Sequence, residues 1–436
     1  MIPSGTVRKY DTYKDSGIAW IGAIPERWNI VKTGRLFRNT KEIVGENSVK
    51  VERLALTLNG VIKRDKNDAE GLQPEQFDGY QYLRENQLVF KLIDLENVNT
   101  SRVGICPFEE GMVSPAYIIL KNNAKNNKFY YYFFLSLWYN EIFNHLGGDG
   151  VRSALNAKDL LNIPTVDISA NEQKAIADYL DKKCAAIDKT IETEEKVIEK
   201  LKEYKQSLIT ETVTKGLDKS APMKDSGIPW IGQIPQHWEV GKVVYFFGVT
   251  LGKMLQPTQK EVNETLKNYL CAANLGGNQL KIGTLKQMWF SQREKEEYTI
   301  KKNDLLVVEG GDIASCDIVP HDLPGVYFQN SILRVRPKGN MSVKILRYLL
   351  HVAKWTGHID LICNKATIAH FTKEKLSNLA CLKIPTSEQQ AIVKYLDDKC
   401  AKIDKSIADK EQVIEKLTEY KKSLIYECVT GKRMVA

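Results

Sequence analysis

The sequence predicts an α+β chain: two globular domains separated by a pair of long coiled-coil helices, laid out as a tandem repeat, with the helices antiparallel if the two units close on each other about a pseudo-two-fold axis. Two repeats and one periodicity predict it. Residues 14–28 (KDSGIAWIGAIPERW) return 210 residues later as 224–238 (KDSGIPWIGQIPQHW), with 11 of 15 positions identical. Residues 172–214 return at an offset of 216 as 388–430, with 29 of 43 identical. In both copies of this longer repeat apolar residues step by four and three, the spacing of a coiled coil.

The first domain spans 1–170 and opens on the box at 14–28. Trp20, Pro25 and Trp28, and their counterparts Trp230, Pro235 and Trp238, read as a packing module at the junction with the helices. Between box and helix, strand-like runs at 87–93 and 116–120 are separated by turns rich in Gly and Asn, and an aromatic helical run covers 129–143. Asn156 stands before a short helical segment as a candidate N-cap. The first spacer helix, 171–215, carries the stripe Leu180, Cys184, Ile187, Ile191, Glu194, Ile198, Leu201, Lys205 and Leu208, with no Pro or Gly inside it. About 40 residues at 1.5 Å each make a rod of ~60 Å. One such helix cannot bury its own stripe, so the two in this chain are expected to pair.

The second domain, 216–387, repeats the plan: the box at 224–238, strand-like runs at 304–308 and 331–335, a helical run at 343–355 and a candidate N-cap at Thr372. The second spacer helix, 388–436, carries Leu396, Cys400, Ile403, Ile407, Lys410, Ile414, Leu417, Lys421 and Leu424. In an antiparallel pair crossing near the midpoints, Glu194 and Lys410 fall within about a heptad of each other with opposite charge, which would fix the register. The alternative is that both side chains snorkel outward. The middles of the two domains barely match beyond one echo, Asn86-Gln87-Leu88-Val89 against Asn303-Asp304-Leu305-Leu306. Near-identical ends with different middles imply one contact made twice and two different things read.

Composition narrows the function. At 436 residues, with 43% apolar and 27% charged residues, the chain is an ordinary globular protein of several domains. No run approaches the ~20 apolar residues that span a bilayer, and the N-terminal residues lack the apolar block of a secretory signal. Eight scattered cysteines without a C-x-x-C pair argue against zinc ribbons and disulfide scaffolds and suit a cytoplasmic protein. The net charge of +8 is uneven: residues 29–170 hold 17 basic and 17 acidic residues, whereas 239–383 hold 20 and 13. That excess hints at an anionic partner. The sequence has no phosphate-binding loop of the G-x-x-x-x-G-K-[ST] type, no dinucleotide fingerprint and no clustered histidines. Acidic-x-Lys triplets such as Asp181-Lys182-Lys183 belong to the charged helix face. No catalytic residue, metal site or cofactor site is therefore assigned, and the chain reads as a reader or an adaptor.

The doubled box, with Glu172-Gln173-Lys174-Ala175-Ile176 and Glu388-Gln389-Gln390-Ala391-Ile392 opening the long helices, resembles the signature of specificity subunits of type I restriction-modification systems. The resemblance covers nearly the whole chain. It implies two target recognition domains, each reading one half of a split site in double-stranded DNA, on an antiparallel spacer. It also implies two modification subunits that bind S-adenosylmethionine and methylate adenine N6, and restriction subunits that bring ATP, magnesium and nuclease activity. Those cofactors belong to the partners. A ~60 Å rod spans about 17 base pairs, and two different readers predict an asymmetric bipartite site. The competing reading is a coiled-coil scaffold whose middles bind proteins and not DNA.

Under the DNA reading, Lys63, Arg64 and Lys66 follow a strand-like run as a DNA-facing loop, with an ordinary solvated turn as the alternative. Arg152 and Ser153 close the glycine-rich loop 147–153, where the family places a DNA-contacting loop; glycine allows close backbone approach and arginine forks onto guanine or phosphate. Lys365 and Thr367 hold the equivalent place in the second domain. Gln279, Lys281 and Lys286 are further candidates there, or surface residues only.

Overall fold

The computed structural model describes residues 8–58, 60–67, 76–93, 102–122, 126–146, 154–276, 280–363 and 369–435. The chain forms two compact units: residues 1–194 with 411–436, and residues 195–410. Each unit therefore contains one globular domain and half of each long helix.

In the first unit the box folds as a hairpin of Tyr13–Asp15 against Ala23–Pro25. The strand Asn29–Lys32 leaves it and pairs antiparallel with Pro164–Asp167, the last strand before the spacer helix. The domain is thus closed at its neck by the strand that follows the box and by its last strand. Beyond the neck lies a four-stranded sheet in the order Arg38–Thr40, Ile118–Lys121, Leu88–Phe90, Val103–Ile105. Two of the strand-like runs become its central strands. Asn86 explains the short sequence echo: it sits at φ 63° in the turn into the central strand, and Asn303 does the same at φ 67°. Asparagine tolerates the left-handed region that such a turn requires.

The aromatic run is helical over Lys128–Tyr139 and again over Ile142–Leu146. A single helix through residue 143 is not formed, because Glu141 turns the chain at φ 57°. Asn156 caps the helix Ala157–Asn162 in a reciprocal box with Asp159. The first spacer helix runs Ala170–Lys215. Its first half packs Leu180, Cys184 and Ile187 with Leu424, Ile425 and Cys428, residues from the far end of the second spacer helix. Lys421 Nζ lies 2.6 Å from Asp188 Oδ1. The early residues of one helix meet the late residues of the other, so the pair is antiparallel.

The second unit repeats this framework. The hairpin Met223–Asp225 with Gln233–Pro235 leads to a neck of Glu239–Lys242 paired with Ala380–Lys383. The four-stranded sheet has the order Phe247–Leu251, Ile332–Pro337, Leu305–Val308, Cys316–Ile318. Thr372 caps Lys373–Asn378, and the second spacer helix runs Thr386–Val429. Ile209 and Val213, late in the first helix, share a core with Ile392 and Leu396, early in the second. Lys205 Nζ lies 2.6 Å from Asp404 Oδ1. At the 216 offset Asp404 is the copy of Asp188 and Lys421 the copy of Lys205. Each unit's register is therefore held by the same ion pair with the helices exchanged.

The stripe is buried at Leu180, Ile187, Ile198, Leu396, Ile403, Ile407 and Leu424, and half-buried at Ile191, Leu201, Leu208, Ile414 and Leu417. Toward the helix ends Ile209, Val213, Ile425 and Val429 join the core. A straight helix drifts ~20° per heptad from a 3.5 repeat, so the buried face moves off a strict four-three stripe. Glu194 and Lys410 are half-buried and end the segments of the two units.

Candidate nucleic-acid interface

Each domain divides into a part that holds the spacer helices and a part that does not. The holding part is built from the repeated residues. Trp28 and Trp238 are 0% exposed at the domain necks. In the first unit Arg27 Nη2 and the Tyr10 hydroxyl each donate to Glu172 Oε1 at 2.7 Å. Burial pushes the Glu172 carboxyl up, but these hydrogen bonds outweigh it and hold it below the ordinary carboxylate range. In the second unit His237 Nε2 lies 2.7 Å from Glu388 Oε1, and Trp238 Nε1 donates to Glu388 Oε2 at 3.0 Å. Gln173 and Gln389 then close the strand-to-helix corner by donating to the carbonyls of Ile168 and Ile384. The Glu opening each helix is therefore a lock to the box, and the Gln after it a lock at the strand-to-helix corner.

Trp20 lies 6.1 Å from Phe133, and Trp230 stacks on His358 at 5.4 Å. Pro25 faces Gly431, where an added Cβ would come within 2.3 Å of the proline ring. Pro235 and Trp238 face Gly216 in the second unit, less tightly, at 3.7 and 3.3 Å.

A further repeated lock escapes the sequence comparison. The Tyr132 hydroxyl donates to Asp181 at 2.8 Å, beside an ion pair of Lys128 with Asp181. The Tyr348 hydroxyl donates to Asp397 at 2.8 Å, with Lys344 2.6 Å from the same carboxylate. All three pairs of residues are related by the 216 offset of the spacer helices. Burial, with the Asp hydrogen bond as a lesser cause, raises both tyrosines well above the ordinary phenol range. Only lysine and tyrosine are shared between the two helices here, and the offset was the available signal.

The other part of each domain differs. In the first it is the hairpin of Leu54–Thr57 with Gly60–Lys63 and the pair Gln81–Arg84 with Glu110–Val113, over a core of Leu54, Leu56, Val61 and Leu83. Lys63 and Arg64 sit at the end of that hairpin. The Lys63 side chain is exposed, 4.0 Å from Glu52. Arg64 donates its backbone N–H to Arg53. Lys66 Nζ donates to the carbonyls of Ser48 and Val49, both at 2.8 Å, and so ties down a neighbouring turn. Arg152 and Ser153 lie outside the described residues.

In the second domain this part is a three-stranded sheet, Lys286–Phe290, Thr265–Leu270 and Val326–Phe328, whose last two strands are parallel. One face carries the buried cluster Tyr269, Met288, Phe290 and Tyr327. The other face carries Leu266, Asn268, Gln287 and Trp289, since side chains alternate along a strand. Lys281, in the connection between the two antiparallel strands, and Lys286 are exposed. Gln279, Lys365 and Thr367 lie outside the described residues.

The type I restriction modification DNA specificity domain matches residues 113–203 and 235–416, more than half of the chain. The chain belongs to the type I restriction-modification specificity family. Over 433 residues, it is 22% identical to the MjaX specificity subunit of a type I restriction enzyme from Methanocaldococcus jannaschii, covering 94% of this chain and 95% of that one. It is 23% identical over 308 residues to the StySPI specificity subunit of Salmonella potsdam, covering 68% and 63%. Its fold is similar to a chain solved in a study of type I R-M complex assembly and conformational transition, with TM-score 0.69, 12% identity and coverage of 93% and 98%. A TM-score of 0.50 at 13% identity relates it to the HsdS subunit of Thermoanaerobacter tengcongensis, over 94% and 98% of the chains. The specificity subunit thus carries two recognition domains and is a non-catalytic component. Among the described residues no helix is long and apolar enough to cross a membrane.

Proposed function

We propose that each recognition domain reads one half of an asymmetric, bipartite site in double-stranded DNA, with the spacer helices setting the gap between the halves. The observation that carries this is the division within each domain: one framework and one set of helix locks occur twice, while the parts beyond them differ in strand arrangement among the described residues and do not match in sequence. Two different readers on equal mounts suit two different half-sites. The helices and boxes hold two modification subunits, which methylate adenine N6 with S-adenosylmethionine. Restriction subunits join that core and cleave with ATP and magnesium, and the assembly works in the cytoplasm. This chain supplies recognition and no cofactor chemistry.

The test is binding of the purified chain, alone and with its modification subunits, to mixed-sequence host duplex over a salt series. A steep fall of log affinity with log salt, about 0.9 per phosphate neutralised, is expected. The pure chain should transfer no label from S-adenosylmethionine. Absence of binding even with the modification subunits would favour a protein scaffold.

A further inference from the structure

The second domain holds a pair of side chains with the chemistry of a base reader. Asn268 and Gln287 stand directly opposite each other across the antiparallel strands Thr265–Leu270 and Lys286–Phe290. Gln287 Nε2 donates to Asn268 Oδ1 at 3.0 Å. That single bond leaves the Asn268 amide donor and the Gln287 carbonyl acceptor without a hydrogen-bond partner among the described residues. The Gln287 side chain is exposed and Asn268 half-buried. The opposite face of the hairpin is anchored by Met288 and Phe290, both 0% exposed, so the pair is mounted on a rigid sheet and not on a loop.

We infer that Asn268 and Gln287 together read one adenine in the major groove of the half-site recognised by the second domain. This rests on the DNA reading proposed above. Adenine alone among the four bases offers an acceptor, N7, beside a donor, the N6 amino group, on its major-groove edge. The amide pair offers the complement, one donor and one acceptor. Guanine shows two acceptors there and would set O6 against the Gln287 carbonyl. An antiparallel ribbon has the width the major groove admits. This hairpin lies at the edge of its sheet: among the described residues no further strand flanks Lys286–Phe290, and its Trp289 N–H donates to the Gln256 carbonyl at 3.1 Å. Leu266, 44% exposed on the same face one pair further along, offers apolar contact for a thymine methyl. Lys281, exposed in the connection between the two strands, is placed for phosphate contact, in the half of the chain that holds the excess of basic residues.

The experiment uses the full chain assembled with its modification subunits. Sequencing methylated adenines in host DNA defines the bipartite site. Duplexes then carry 7-deazaadenine, which lacks N7, at each adenine of the second domain's half-site in turn. The unaltered assembly should lose roughly tenfold in affinity at one of these positions. The Asn268→Ala assembly should bind that modified duplex and the ordinary one equally. Gln287→Ala should lose the preference for adenine over guanine at the same base pair and keep the other half-site. The inference is overturned if no 7-deaza position matters, a result that depends on no variant. It is also overturned if the variants weaken all sequences evenly, or if the half-site contains no adenine on either strand. If the unaltered assembly prefers no sequence at all, the DNA reading itself falls.

Discussion

In the first unit the helix Lys128–Tyr139 lays Tyr131, Leu135 and Tyr139 into the core shared with the spacer helices. In the second, the residues 216 positions on are Arg347, His351 and Trp355, and they line a groove of about 750 Å³ with Lys205, Asp397 and Asp404. One unit fills this place with Tyr131, Leu135 and Tyr139, and the other leaves a groove whose lining mixes charged side chains with apolar ones. The Lys-Tyr-Asp lock beneath is the same in both. The difference teaches that the mount is fixed by a few polar locks and the box, and that the filling between them is free to change. What must stay equal between the units is the geometry of the helices, and what must differ is the surface presented beyond them.

The largest break in this equality should come at the helix ends. Gly431 and Gly216 both sit at φ 74°. Alanine at either costs about 1 kcal/mol for the left-handed conformation. At Gly431 its Cβ also meets the Pro25 ring at 2.3 Å, whereas at Gly216 the nearest atom, of Trp238, is at 3.3 Å. Gly431→Ala should therefore destabilise by about 3 kcal/mol and Gly216→Ala by about 1, measured from urea unfolding midpoints. Equal losses would contradict the asymmetry.

A smaller effect separates the units by pH. Burial, with Arg347, Lys205 and Lys354 close by, holds the His351 imidazole down to about 3. Its folded value lies below its unfolded value, so the fold favours the neutral ring. Stability from this group is complete above about pH 6.5 and is lost as pH falls toward the folded value. The ring is partly exposed, which discounts the loss to on the order of 1 kcal/mol between pH 6.5 and 5. His351→Leu, which installs the residue of its counterpart Leu135, should flatten the acid side of the stability curve by that amount. An unchanged acid limb would remove His351 from the account.

The smallest effect tests the register. Exchanging charges at Asp188 and Lys421 singly should destabilise the first unit, and the double exchange should recover the loss, with a coupling of ~0.5 kcal/mol. The pair Asp404 and Lys205 should couple by the same amount in the second unit. A coupling in one unit only would break the two-fold equality of the helix pair.

These equalities were legible in the sequence to different depths. The box, the helices and the central strands announced themselves because identity at a fixed offset and a four-three apolar step survive without knowledge of contacts. The register did not. Lys205 and Lys421 sit on the stripe, but their partners Asp188 and Asp404 lie off it, and a stripe says nothing of what stands beside it on the facing helix. The Lys-Tyr-Asp lock was hidden because its tyrosine sits among Tyr130, Tyr131 and Tyr139 in one domain and among aliphatic residues in the other. The proposed reading surface was the least legible. Lys63 and Lys286 are exposed as a DNA contact requires, yet Lys66 is spent on a turn, and Asn268 and Gln287 become a pair only when two strands set them in register.

The central claim is that the two domains read separate half-sites independently. Exchanging residues 239–383 for the corresponding middle of another family member, and sequencing methylated adenines in cells carrying the chimaera with its modification subunits, tests it directly. One half of the methylated site should change while the other half and the gap stay as they were. A site altered in both halves would contradict the account.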